Sequence, residues 1–273
     1  MRQHDLTRQR SQSFGYVAAD YDRFRPGPPD SSLEWLIPDG ARQVIEIGAG
    51  TGALTRLLLA RGLQVQAVEP DARMRDLLVT RAPGALVTAG RGEEIPAPDG
   101  AADVVIASSS WHWVDQERGV PEVARVLRPG GRFALLWSSP DRTLPWLRTL
   151  WAGGVPLTDE QIASRDAHRR DRHVVDLGDS GAFSEQERKR IAWERTMSRA
   201  ELLGVIGTYS AVITMDPDAR QRFFASMERF LDEDPATAGR ETFDIPMRCL
   251  CWRSNRLPAS LTGTAPSAGE GAS

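Results

Sequence analysis

In VIEIGAGTGAL, Glu46 precedes three glycines, Gly48, Gly50 and Gly52, and an apolar run follows them. Glycines at this spacing let the backbone approach a ligand closely, because no side chain stands in the way. A second acid, Glu69, closes QVQAVE 19 residues after Gly50. A carboxylate there can accept from both hydroxyls of a ribose. Two adenosine cofactors share this pattern. Gly48-x-Gly50-x-x-Ala53 meets the dinucleotide fingerprint in its Gly/Ala form. Glu46 separates the two. A pyrophosphate against the loop and helix start would be repelled by a carboxylate, whereas the sulfonium and ammonium of S-adenosylmethionine would be attracted. Each acid also has a structural alternative: Glu46 could pair with a nearby arginine, and Glu69 could favour the dipole of the following helix.

A further group of reactive side chains lies in SSSWHWVD. His112 is the candidate general base, since its reference pKa is near neutrality. It could equally hydrogen-bond a backbone carbonyl while Asp115 caps the next helix. Trp111 and Trp113 suit packing or a pocket wall, and an aromatic face near a sulfonium gains cation–π attraction. His168 and His173, in RDAHRRDRH, have no partners at metal-ligand spacing, so no metal is expected. Interleaved acids make that stretch a poor phosphate patch.

The elements that must position these groups alternate. QVIEIG (43–48), QVQAVE (64–69), ALVTAG (85–90), ADVVIAS (102–108) and GRFALLW (131–137) read as strands. Helices fall between them: ALTRLLLARG with Gly62 at its end, DARMRDLLVTRA capped by Asp71, and DQERGVPEVARVLRPGG capped by Asp115 and stopped by Pro-Gly-Gly. This rhythm means a parallel sheet wrapped by helices. Later come two helical stretches, the second boxed by Thr158 and Gln161, a strand at KRIAWERTM (189–197), a helix boxed by Ser198 and Glu201, an amphipathic helix, and a last strand, MRCLCW (247–252). Phe223, Phe224, Met227 and Phe230 take helical spacing suited to core packing. Ligands in open α/β sheets sit outside the carboxyl ends of the strands, which is where ADVVIAS runs into Ser108 and the histidine.

VIEIGAGTGALT, AVEPDARM, GRGEEIPAPDGAADVVIASSSWHW and VARVLRPGGRFALLW, in this order and spacing, resemble the successive motifs of class I S-adenosylmethionine-dependent methyltransferases over 43–137. SFGYVAADYDRFRP upstream and TYS near Ser210 resemble a small-molecule branch of that superfamily. The resemblance implies an α/β, Rossmann-like sheet of seven strands, mostly parallel with the last antiparallel, helices on both faces and a helical cover inserted late in the chain. It places Gly48, Ala49, Gly50 and Gly52 against the cofactor, Glu69 on its ribose, and Pro70 and Met74 by its adenine. Gly92 and Glu93 would lie at the adenine edge and Ser108 at the end of the fourth strand. Arg91 stands where many relatives carry an acid for the adenine amino group. Tyr21 and Arg25 would cover the cofactor, with Arg25 available to its methionine carboxylate. Trp113 and Tyr209 would line the acceptor pocket. SSSW replaces the Asn/Asp-Pro-Pro-aromatic tetrapeptide of enzymes that methylate nucleic-acid bases.

Composition sets outer bounds. The chain has 273 residues, a formal charge of -3 and a single lysine, Lys189. Such a charge gives no overall pull toward nucleic acid or an anionic membrane. Cys249 and Cys251 read as two buried thiols of a reducing compartment. With no apolar leader or spanning run, a cytoplasmic, bacterial protein is expected, as monomer or homodimer. Residues 1–12 are expected to be loose, 13–253 to form one methyltransferase domain (13–42 a helical cap, 43–137 the cofactor core, 138–253 the substrate cover and last strands), and 254–273 a disordered tail. The expected activity is methyl transfer from S-adenosylmethionine to a small molecule, oxygen first, then carbon or nitrogen. The alternatives are an NAD(P)-dependent oxidoreductase and a non-catalytic binding protein.

Overall fold

The computed structural model describes residues 18–25, 27–171, 174–178 and 181–258. The expected loose stretch 1–12 and His173 fall outside them. Seven strands form one sheet in the order β3-β2-β1-β4-β5-β7-β6. They are β1 (Gln43–Ile47), β2 (Gln64–Val68), β3 (Leu86–Thr88), β4 (Ala102–Ser108), β5 (Leu127–Pro140), β6 (Glu187–Ser198) and β7 (Thr242–Asn255). The first five pair in parallel, and β7 runs antiparallel between β5 and β6. The chain reverses its order between β1 and β4, so a crevice opens at their carboxyl ends.

The central strands are apolar because both faces are covered. Val44, Val104 and Ile106 pack with Leu54 and Leu58 on one side, and Ile45, Ile47 and Val105 with Trp111, Val123 and Phe133 on the other. Helices α3 (Ala53–Ala60) and α5 (Gln116–Val126) supply these layers, while Leu78 of α4 (Ala72–Arg81) packs with Ala49, Ala67 and Ala82. Asp71 Oδ1 accepts from Arg73 N at 2.9 Å and Asp115 Oδ1 from Glu117 N at 3.2 Å, so both expected caps form. Both capping boxes close as well.

Boundaries moved where tertiary pairing overrode local signals. The third strand shrinks to three residues because it has only β2 to pair with. The Pro-Gly-Gly expected to stop α5 lies instead inside β5, at a register irregularity opposite Ala102 and Val104. Of the tail expected from 254, Ser254 and Asn255 pair with β5 and Arg256 bridges Phe183, while residues 259–273 lie outside the described residues.

The remaining helices are α1 (Ala18–Phe24), α2 (Asp30–Leu36), α6 (Pro145–Trp151), α7 (Asp159–Asp171), α8 (Arg199–Gly207), α9 (Ser210–Ile213) and α10 (Pro217–Glu233). Leu147, Leu150, Leu202, Val205 and Met227 of the later ones join Met197 and Phe243 in a separate apolar cluster. The side chain of Phe24 packs against this cluster, and a Cβ at Gly204 would lie 2.6 Å from its ring. The first helix thus rests on a helix met only after six strands. Gly204→Val should overpack this seat and destabilise the protein by about 1–3 kcal/mol, read as a lowered Tm in thermal unfolding.

Candidate active site

The glycine loop joins β1 to α3, and its glycines serve different ends. At Gly48 (φ 66°) a Cβ would lie 2.5 Å from that of Ser110, while Ser110 Oγ donates to Ile47 O at 2.7 Å. The segment after β4 is thereby drawn against the start of the loop. At Gly52 (φ 91°) a Cβ would strike Leu78 at 2.6 Å, so this glycine admits α4. Its missing side chain therefore serves helix packing. Only at Gly50 (φ 58°) is the space open, with Tyr21 Cε1 at 3.9 Å. Ala49 is buried against Ala67, Leu78 and Ala82.

Glu69 directly follows β2 and holds the loop in shape. Its Oε2 accepts from Gly50 N and its Oε1 from Asp71 N, both at 2.9 Å. Burial raises its pKa, and the two N–H donors offset part of the rise. Each oxygen keeps a further lone pair, as a ribose diol needs. Glu46 lies deeper, and burial pushes its pKa up to about 8. Its partner is a hydroxyl rather than an arginine: Thr55 Oγ1 donates to Oε2 at 2.6 Å.

Tyr21 and Arg25 come from α1 and the residue just beyond it. Asp22 fastens this helix to α3 through Arg56 and to α4 through Arg81, each at 3.1 Å. Arg25 faces the late insertion: its Nε donates to Thr208 Oγ1 at 2.9 Å, and its guanidinium lies 4.1 Å from the ring centroid of Tyr209 and 5.3 Å from that of Tyr21. Cap and cover therefore meet above the glycine loop.

On the far side, Met74 is buried and Pro70 exposed. Gly92 packs against Val114 and Ile47, and Glu93 Oε1 accepts from Asp115 N at 2.9 Å. Glu93 therefore braces the start of α5, which draws on the carboxylate expected to serve the adenine edge. Ser108 ends β4, and Ser109 after it has φ 55°, a strained value for a residue with a side chain. Trp111 is core, edge-on to Phe133 at 4.8 Å, while Trp113 stays partly exposed beside the His112 ring at 4.6 Å. Trp137 Nε1 donates to His112 Nδ1 at 3.4 Å. The pattern assigns the neutral ring proton to Nε2, so the expected base presents a donor there. Among the described residues, no three His, Cys, Asp or Glu side chains are grouped as metal ligands.

Thr55, Ser109, Ser110, Thr208 and Arg142 were not signalled by sequence. Their roles follow from contacts across the fold, and only the small serines after an apolar strand hinted at a tight turn.

A raised carboxyl pKa has a definite sign. The folded form holds the Glu46 proton from the ordinary carboxyl range up to about 8, so Glu46 lowers stability as pH rises through that window. Glu46→Gln should flatten this part of the decline between about pH 4.5 and 8, measured by denaturant unfolding across that range.

The geometry can be set beside known proteins. A family model described as "Methyltransferase domain" matches residues 45–135, from β1 into β5. The chain is 37% identical over 248 residues to an uncharacterised methyltransferase of Mycobacterium tuberculosis, covering 90% of this chain and 97% of that one. It is 24% identical over 250 residues to an uncharacterised methyltransferase of Schizosaccharomyces pombe, covering 88% and 95%. Its fold is like that of a solved protein from Anaeromyxobacter dehalogenans described as a type II methyltransferase (TM-score 0.63, 24% identity, 86% and 99% covered). The glycine loop and Glu69 both lie within the family match. The chain belongs to the class I S-adenosylmethionine-dependent methyltransferase superfamily.

Proposed function

We propose that this enzyme methylates an oxygen atom of a small-molecule acceptor. The observation that carries the choice of atom is the donor character of the site: with Nδ1 of His112 already accepting from Trp137, the imidazole offers an N–H, and Arg142 beside Tyr209 offers more. Donors seat an oxygen's lone pairs; an amine nitrogen, whose one lone pair must attack, would have none left to accept them. Bound S-adenosylmethionine supplies a methyl group already activated on a sulfonium. The protein's part is then mainly to align the acceptor and exclude water.

The residues fit that cofactor. Gly50 leaves open space above the loop, Glu69 keeps lone pairs for a ribose, and Glu46 places a buried acid beneath a cation-bearing ligand. Tyr21 closes over the loop, and Arg25 supplies a guanidinium from this cap for a methionine carboxylate. A pyrophosphate would meet the same acids without gain. No helix of the described residues is long and apolar enough to cross a membrane. The two free thiols, Cys249 and Cys251, buried with their sulfurs 3.6 Å apart, support a reducing compartment, and we place the enzyme in the cytoplasm.

Calorimetric titration should show micromolar-range binding of S-adenosylmethionine and none of NADH. Because the ligand's positive charge favours ionised Glu46, binding should release protons below about pH 8 and tighten as pH rises to it. Titrations in buffers of different ionisation heat read this directly, and Glu46→Gln should abolish the release. Binding of NADH instead, or no dependence on buffer, speaks against the reading. Glu69→Ala should weaken cofactor binding by about ten-fold or more, since it removes ribose contacts and frees the loop.

A further inference from the structure

Beyond the cofactor cap, side chains from three distant parts of the chain converge. Tyr209 stands at the start of α9, with Arg25 stacked on its ring at 4.1 Å and Arg142 beside its hydroxyl. Arg142 follows β5 by two residues, at the carboxyl end of the sheet, and its guanidinium lies 5.4 Å over the ring of Trp151. Tyr21 Cε1 stands 3.9 Å from where a Cβ on Gly50 would lie, and Arg25 lies over the rings of both Tyr21 and Tyr209, so this group adjoins the cofactor loop. Asp141, the acid nearest in sequence, points to Arg190 of β6 at 3.2 Å. Burial opposes ionisation of the Tyr209 phenol, yet Arg25 and Arg142 outweigh it and hold its pKa below the usual value. A place that favours a phenolate also favours another anion set against it.

We propose that Arg142 and Tyr209 form a carboxylate seat, so that the acceptor is an organic acid and the product its methyl ester. This rests on the methyl-transfer reading above. Arg25 marks the border of the seat, with the cofactor on its other side. Guanidinium and phenol donors match the two oxygens of a carboxylate. The acid also resolves the problem of the base. A hydroxyl acceptor would have to lose a proton, and His112 presents a donor. A carboxylate arrives ionised at neutral pH. Its oxygen forms a bond to the methyl carbon as the carbon–sulfur bond breaks and the electron pair stays on sulfur. The ester and a neutral thioether result, and no proton is released.

The test uses the full chain, tritium-methyl S-adenosylmethionine, and a panel of aliphatic mono- and dicarboxylates and aryl carboxylates, each beside its primary alcohol and amide. Methyl esters give up their label as volatile methanol in alkali, whereas ethers and amines keep it. Transfer to carboxylates with alkali-labile label supports the seat. Arg142→Gln should then lower kcat/KM for the acid roughly ten- to hundred-fold, mainly through KM, with cofactor affinity and Tm unchanged. Arg142→Lys should recover part of the loss. Tyr209→Phe gives a second, smaller loss if Arg142→Gln does not fold. Calorimetry of the S-adenosylhomocysteine-loaded protein should show the labelled acid binding, and the variants weakening it. Alkali-stable label, or no labelled carboxylate in the panel, overturns the seat and leaves methyl transfer standing. Failure to bind S-adenosylmethionine at all overturns the underlying reading instead.

Discussion

One buried carboxylate holds the site together. Glu69 accepts from the backbone of Gly50 on one side and of Asp71 on the other. It therefore fixes a left-handed loop residue and the cap of α4 relative to each other and to the end of β2. Loop N–H groups that would otherwise be idle are given a partner, and the acid's remaining lone pairs are aimed outward. A buried carboxylate is costly unless such donors surround it, which is why the two bonds and the burial belong together. Ser110, by donating to Ile47 O, performs the matching task across the crevice.

The second constraint joins segments remote in sequence. Arg25 and Thr208 are separated by 183 positions, yet two hydrogen bonds join them, and Arg25 also lies over the rings of Tyr21 and Tyr209. Asp22 meanwhile fastens the same helix to α3 and α4. The cap is thus held to the cofactor core by ion pairs and to the late cover by Arg25 and Phe24. Exposed ion pairs alone contribute little. Phe24 against Gly204 adds apolar contact that salt does not screen. Tyr21 and Tyr209 thus share one guanidinium, that of Arg25.

His112 illustrates how a neighbour decides the role of a titratable side chain. Its reference pKa invites a base, but an indole N–H aimed at Nδ1 favours the tautomer that donates from Nε2. Trp137 belongs to β5 and reaches His112 only because β4 and β5 pair in register from Val104 to Ser108. An imidazole protonated at Nε2 donates there rather than accepts.

Much was legible in the residues themselves. The strand and helix alternation, the caps at Asp71 and Asp115, the boxes at Thr158 and Ser198, the glycine loop and its two acids all rest on local periodicity and local hydrogen bonding, which a linear sequence carries. The part each glycine takes was not legible, because it depends on Ser110, Leu78 and Tyr21 arriving from elsewhere. Neither were the partner of Glu46, the bracing of α5 by Glu93, nor the meeting of Arg142 with Tyr209. Strand ends followed their neighbours: β3 shortened at the sheet edge, and β7 ran past the expected start of the tail because β5 pairs with it there. Sequence alone determined the cofactor type, since the sign of charge at the loop is written in Glu46 and Glu69. Tertiary structure decided which side chains gather around Tyr209, since that set is assembled from contacts between residues far apart along the chain.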